Sequence, residues 1–353
     1  MRFLHISDLH IGKVVNDFSM LEEQKLILDQ LVSLAAENKV DALVIAGDIY
    51  DRAIPPGEAV SLFDQFLTKL SDQEIQIIMI SGNHDSPERI SFGEHLLCAR
   101  GVHIAGVWNR QAKRVLLGDT EFVLLPFFKP VREEETDSNS AVARALERYW
   151  QQEQEESLEK QRVLITHFFV TDQGKEPALS ESETTIHVGG LDNVEASLFD
   201  GFDYVALGHL HGPQQISERI RYSGTPMAYS FGKEEKQEKS VTVLDTDTMQ
   251  QKTVSMPQLH KRVTLTGNFD ELLEAAYEEE ILQGYVRLDV TDRYVGMESV
   301  ALLRERYSNL LEVTGRDFER EDARITMSVD ELEQADKDPD KIFTRYCEDI
   351  LEQ

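Results

Sequence analysis

The chain has 353 residues, 41% of them hydrophobic, and a formal net charge of −29 from 36 Lys and Arg against 65 Asp and Glu. That length suits one large domain and a smaller one, and no stretch reaches the roughly 20 apolar residues of a membrane span. The charge has the wrong sign for a protein that grips nucleic acid by itself. Cys98 and Cys347 make neither a disulfide framework nor a metal spacing, and Met1-Arg2 runs straight into a strand without a signal segment, so the sequence reads as cytosolic.

In chain order, apolar runs at 2–6, 42–46, 75–80, 163–165 and 204–207 read as buried strands. Each stops at residues able to bind a metal: Asp8-Leu9-His10, Gly47-Asp48-Ile49-Tyr50-Asp51, Gly82-Asn83-His84-Asp85, Thr166-His167 and Gly208-His209-Leu210-His211. Strands that all end this way describe an active site at the carboxyl edge of a sheet. Between them the spacing predicts an amphipathic helix over 18–37, with Leu21, Leu28, Leu31, Val32 and Ala35 on or near one face. A second helix over 57–70 follows the Pro55-Pro56 breaker, and a third covers 88–99. Packing on the sheet is the first expectation for both, although they carry more aromatic surface than one sheet contact needs. Residues 132–160 read as an acidic, solvated helical insertion. Strands 240–245 and 251–255 form a hairpin around Asp247-Thr248. The pattern then changes at Met256-Pro257. Strands at 260–266, 285–290, 310–313 and 324–329 alternate with helices at 269–278 and 297–309. A last helix spans 340–353, with Phe343, Tyr346 and Ile350 on one side.

In an extended strand residues i and i+2 share a face, so Asp8 with His10, and His209 with His211, are expected to reach one point. The donors collected are Asp8, His10, Asp48, Asn83, His167, His209 and His211. Oxygen and nitrogen ligands without thiolate suit Mn²⁺, Fe²⁺ or Zn²⁺ better than Ca²⁺ or Cu(I). Seven ligands exceed one tetrahedral ion and suit two ions that share a carboxylate, roughly 3.5–4 Å apart. Such a site is net cationic, as a phosphodiester requires. His84 follows Asn83 directly, so its side chain should diverge and stay free to protonate a departing alkoxide. Asp85 is expected to orient it, or to cap the turn at Ser86-Pro87.

Taken in this order, the five motifs resemble those of the calcineurin-like metallophosphoesterases. Two more stretches, 5–13 and 222–231, resemble the nuclease subunits of that family that work with an SMC-like ATPase in double-strand-break repair. The likeness is close over 1–255 and looser beyond. It implies a four-layer α-β-β-α sandwich over 1–256, a small C-terminal α/β capping domain over 257–335, and a C-terminal helix over 336–353 as an anchor for the ATPase. It implies that Asp8, His10, Asp48 and His211 hold one metal, that Asp48, Asn83, His167 and His209 hold a second, and that His84 is the catalytic acid. Manganese is the expected metal. Double-stranded, hairpin and single-stranded DNA are the expected substrates, and the expected assembly is a homodimer in which the helices over 57–70 and 88–99 form a bundle. Asp51 departs from the pattern, because archaeal and eukaryotic relatives carry a phosphate-contacting histidine near it; an aspartate cannot do the same to an anion, and its role stays open, with orienting a ligand or a water as one option.

The acid is partly segregated, at 133–137, 153–159 and 330–340, while Lys13, Arg52, Arg89, Lys129 and Lys233 lie near the motifs as a basic rim. The expectation is a subunit that cuts while its partner grips. The alternative is a phosphoesterase for small phosphodiesters or phosphoproteins, which the acidic charge favours mildly. Of the remaining residues, His5 reads as a core or supporting histidine. His95, His103, His187 and His260 read as ordinary, Trp108 and Trp150 as packing aromatics, and Gly189-Gly190 as a turn.

Overall fold

A computed structural model describes residues 1–130, 136–153, 160–179 and 192–315. Two six-stranded sheets lie face to face. The first runs Gln250–Ser255, Ser240–Asp245, Arg2–Ile6, Ala42–Ala46, Gln76–Ile80, Val102–Ala105. Its last four strands are parallel, and the hairpin Ser240–Asp245/Gln250–Ser255 adds antiparallel to Arg2–Ile6. The second runs Gln214–Gln215, Ile220–Tyr222, Tyr204–Leu207, Gln161–Thr166, Thr120–Leu125, Lys113–Leu117, parallel except at its two edges.

The strands are apolar on both faces because each sheet is covered on both sides. Between the sheets, Phe3, Val44, Ile78 and Ile80 meet Phe122, Leu124, Val163, Ile165 and Tyr204. Outside the first sheet, Leu21–Glu37 and Gly57–Ser71 bury Ile27, Leu31, Phe63 and Phe66. Outside the second, Ser138–Glu153 buries Val142, Ala145, Leu146 and Tyr149. The result is four layers, helix–sheet–sheet–helix, with the parallel strands of both sheets ending on one side.

Three local expectations are corrected. Residues 18–20 do not join the first helix: Val14–Val15 and Phe18–Ser19 pair as a small hairpin, turning at Asn16 and Asp17 with φ of 47° and 68°, which suits a two-residue turn with both φ positive. The third helix is two short pieces, Pro87–Ile90 and Glu94–Cys98, parted at Gly93 with φ 74°. Phe92 and Leu96 there are 85% and 81% exposed rather than packed on the sheet. The segment 132–160 is not a solvated insertion where it is described. Ala141, Val142, Ala145, Leu146 and Tyr149 recur at i, i+1, i+4, i+5 and i+8 and form a core-facing stripe among the acids.

After Met256 three parallel strands, Arg262–Gly267, Tyr285–Val290 and Asn309–Thr314, carry Phe269–Glu274, Glu279–Gln283 and Met297–Arg306 between them. Phe269, Leu272, Val286, Leu288, Leu303 and Tyr307 form a separate core. Asn268 starts the first of these helices with a reciprocal capping box to Glu271. The expected strand over 324–329, the helix over 340–353, Cys347, His187 and Gly189-Gly190 lie outside the described residues. Among those described, no helix is long and apolar enough to cross a membrane.

Candidate metal centre

All seven expected donors and His84 come from the carboxyl ends of strands in both sheets. Asp8 and His10 follow Arg2–Ile6, Asp48 follows Ala42–Ala46, and Asn83 and His84 follow Gln76–Ile80. His167 follows Gln161–Thr166, and His209 and His211 follow Tyr204–Leu207. Extended strands do not bring these donors together. Asp8, His10, Asp48 and His209 have φ of 54°, 44°, 50° and 103°, so none continues its strand. Backbone held in this region is sparsely populated and gathers at functional sites. It is held by cross-loop bonds: Asp8 N–H donates to Gly47 O at 3.1 Å and His10 N–H to Asp48 O at 3.0 Å.

The side chains converge on two adjoining points. His10 Nε2 and His211 Nε2 are 3.0 Å apart, with Asp8 beside them. His167 Nε2 lies 3.3 Å from Asp48 Oδ2 and 3.9 Å from Asp8 Oδ1. Asn83 Oδ1 is 3.1 Å from both His167 Nε2 and His209 Nδ1. Asp48 Oδ2 is also 3.8 Å from His10 Nε2, which puts this carboxylate between the two groups. Asp8, Asp48, His10, His167 and His211 are buried, whereas Asn83 and His209 reach the surface.

These residues fit divalent cations. His167 Nδ1–H donates to Ala46 O at 2.7 Å, which leaves the Nε2 lone pair aimed at Asp48; a neutral imidazole fixed through its other nitrogen is the usual metal ligand. His10 Nδ1 is buried without a hydrogen-bond partner, with Asp51 Oδ1 3.7 Å away, while its Nε2 faces the cluster. The facing Nε2 atoms of His10 and His211 are spaced as two nitrogens on one ion at the about 2.0–2.1 Å typical of metal–imidazole bonds.

Without the ions the electrostatics are strained. Burial, assisted by Asp48, pushes Asp8 up to about 6. Burial opposes charge on His167, but Asp48 and Asp8 outweigh it and hold that imidazole up at about 9. Burial would also raise Asp48, yet His167, His10 and His84 outweigh it and hold the carboxyl well below its usual range. Burial lowers His10. Asp8, Asp48, His10 and His167 thus compete for protons where water is excluded, the kind of arrangement that marks functional centres.

His84 diverges from Asn83 as expected. Its Nδ1 lies 3.0 Å from the Asp51 carbonyl oxygen, so Nδ1–H donates there and Nε2 faces the cluster, 3.9 Å from Asp48 Oδ2. Asp85 neither orients His84 nor caps the next turn. Its carboxylate accepts from the backbone N–H of Ile49, Tyr50 and Gly82 at 3.1, 2.9 and 2.9 Å, locking the Asp48 loop to the Asn83 loop. Asp51 takes Lys13 Nζ at 2.7 Å and lies 3.7 Å from His10 Nδ1. Arg52 is 3.6 Å from the same carboxylate, so two of the five expected rim charges are partly cancelled. Gly82 is required because a Cβ there would collide with the Asp48 carboxylate and backbone.

Supporting residues beyond the motifs went unnoticed in the sequence. Gln24, from the helix Leu21–Glu37, donates to His10 O at 2.7 Å and accepts from Gly12 N–H at 2.9 Å. Tyr229 O–H donates to Leu9 O, and Glu234 lies behind His211. Tyr229 sits in the 222–231 stretch that stood out, but nothing local marked Gln24 or Glu234. His5 is a supporting histidine, bonded to Tyr204 Oη at 3.0 Å and Leu207 O at 3.2 Å.

Against known proteins, a family model described as calcineurin-like phosphoesterase matches residues 1–213, more than half of the chain. The SbcD component of the SbcCD nuclease of Staphylococcus saprophyticus is 30% identical over 326 residues, which is 90% of this chain and 86% of that one. The chain belongs to the SbcD family of calcineurin-like phosphoesterases. A second family model, described as type 5 capsule protein repressor C-terminal domain, matches residues 260–350 and so begins where the SbcD-type chain starts its separate three-stranded unit. Among solved structures, TT1561 of Thermus thermophilus is 14% identical with a TM-score of 0.45, over 72% of this chain and 99% of that one. A dimetal phosphatase from Danio rerio is 11% identical with a TM-score of 0.40, over 73% and 99%.

Proposed function

We propose that this chain is the nuclease subunit of an SbcC–SbcD-like complex, hydrolysing DNA phosphodiester bonds with two divalent ions, Mn²⁺ foremost, in repair, recombination and replication. The observation that carries the reading is the joined donor set around Asp48, in a chain related along nearly its whole length to a nuclease component. Asp8, His10, Asp48 and His211 would hold one ion and Asp48, Asn83, His167 and His209 the other. Bound there, the ions would polarise the phosphoryl group and neutralise developing charge. His84, anchored through Nδ1 to the Asp51 carbonyl, would carry a proton on Nε2 and give it to the leaving 3′ oxygen. The buried Asp8 and Asp48 would keep the ions in a dry site, where electrostatic interactions are strongest.

By family likeness the activities are a 3′→5′ exonuclease on duplex ends and an endonuclease on hairpins and single strands. An SbcC-like SMC-family ATPase would supply the DNA affinity that a net charge of −29 denies the chain alone. The unit after Met256, over 257–335, would cap the cleft, and 336–353 would reach the ATPase. A homodimer would form through the exposed Phe92 and Leu96, and the complex would work in the cytoplasm.

The test is cleavage of an end-labelled hairpin duplex by the purified chain with Mn²⁺, beside bis-p-nitrophenyl phosphate. Manganese-dependent DNA cutting is expected. The acidic charge favours a second reading, a phosphoesterase for small phosphodiesters or phosphoproteins. Turnover of the small diester, with DNA left intact even after the ATPase is added, would establish that reading instead.

A further inference from the structure

Behind His211 lies a buried charge pair. Glu234 and Lys239 are 1% and 2% exposed, and Lys239 Nζ stands 3.6 Å from Glu234 Oε2. Together they grip one residue from two sides. Glu234 Oε1 lies 3.4 Å from His211 Nδ1. Lys239 Nζ donates to His211 O at 3.0 Å and to Thr225 Oγ1 at 2.8 Å, and Thr225 N–H donates to the same carbonyl at 3.1 Å. The other carboxylate oxygen, Oε2, accepts the backbone N–H of Tyr229 and Ser230 at 2.6 and 3.1 Å. Glu234 is thereby held with one oxygen facing the imidazole. Its neighbour Glu235 holds Thr264 of the C-terminal sheet through N–H and Oγ1 at 3.0 and 2.7 Å, so the segment is pinned on both sides.

We propose that Glu234 is a positioning residue: by accepting the Nδ1–H of His211 it keeps that imidazole in the tautomer whose Nε2 lone pair is turned toward His10 and Asp8. A carboxylate only accepts, so the His211 proton belongs on Nδ1. At most one of two Nε2 atoms 3.0 Å apart carries a proton between them, and with Glu234 in place it is not that of His211. Carboxylates behind metal-binding histidines fix tautomer and ring orientation, and losing one typically costs 10- to 100-fold in metal affinity. This inference rests on the reading of His211 as a metal ligand.

Glu234→Gln is the discriminating variant. Its amide oxygen is drawn to the Tyr229 and Ser230 N–H groups, which leaves its NH₂ facing His211 Nδ1. That donor favours the opposite tautomer, with the proton on Nε2, where a metal would bind. Imidazole ¹⁵N spectra of the metal-free chain, with the His211 signal assigned by its absence in His211→Ala, read the tautomer without any metal. Calorimetric titration with Mn²⁺ reads affinity. Expected are an Nδ1–H signal for His211 in the wild type, its shift toward Nε2–H in Glu234→Gln, and a 10- to 100-fold loss of Mn²⁺ affinity at one of two sites. A wild-type His211 protonated on Nε2 overturns the proposal without recourse to any variant. So does wild-type uptake of two ions with Glu234→Gln unchanged in both signal and affinity. A wild type that takes up no Mn²⁺ sinks the metal reading itself, and the proposal with it.

Discussion

His10 Nε2 and His211 Nε2 face each other at 3.0 Å across a separation of 201 positions in the chain. Two neutral imidazoles so placed can share at most one proton, so the pair is built to be bridged by a cation or a hydrogen. His211→Ala removes one half of the bracket and leaves the Asp48, Asn83, His167 and His209 group in place. Metal analysis of the variant should give about one tightly held ion per chain instead of about two, and hydrolysis should fall by at least roughly 100-fold, since in the proposed reading both ions would clamp the reacting phosphate. Two ions retained in the variant would remove His211 from the ligand set.

For His84 the prediction separates proton delivery from metal binding. His84→Ala should keep both ions, because all seven donors proposed to hold them remain, even though Nε2 stands within ligand reach of His10 and Asp48, while DNA cleavage falls about 10²- to 10⁴-fold. Bis-p-nitrophenyl phosphate releases a stable phenolate that needs no proton, so its hydrolysis should fall far less. Equal losses on the two substrates would assign His84 a structural part instead.

His5 carries a stability prediction. Burial first, then Arg221, lower its pKa to about 3 against an ordinary 6.5. Between those values the unfolded chain binds the proton and the folded chain does not. Stability should therefore be complete above pH about 6.5 and decline as pH falls toward 3, by up to about 1.4 kcal/mol per pH unit from this residue. His5→Gln should flatten that limb in urea melts of the metal-free chain. A slope unchanged by the substitution would place the acid sensitivity elsewhere.

The exposed side chains of Phe92 and Leu96 give a prediction about assembly. Contiguous exposed apolar patches mark interfaces, and Phe92 and Leu96 lie four residues apart, both exposed. Sedimentation of the wild-type chain should show a dimer. Phe92→Ser with Leu96→Ser should shift it to monomer while costing the folded chain no more than about 1 kcal/mol in urea melts, since neither residue is packed in the chain itself. A wild-type monomer at working concentrations would remove the dimer from the proposal.

The sequence by itself determined the five strands that carry the site and marked which residues could act as donors. Apolar runs such as Ala42–Ala46 and Tyr204–Leu207 appear with the expected bounds, because a strand buried on both faces leaves a continuous apolar signal. The candidate donors stood out because residues able to bind a metal follow five such runs in turn. Tertiary structure decided how the donors meet. Asp8, His10, Asp48 and His209 meet through positive φ and cross-loop bonds rather than strand alternation, and backbone dihedrals at loop tips are set by contacts from distant segments. The same holds for Asp85, which ties two loops together, and for Glu234, which meets His211 only after the chain has turned back through Gly224 and Tyr229. The core stripe of Ser138–Glu153 was hidden among charges, because a helix needs only one apolar face to pack and its composition averages that face away.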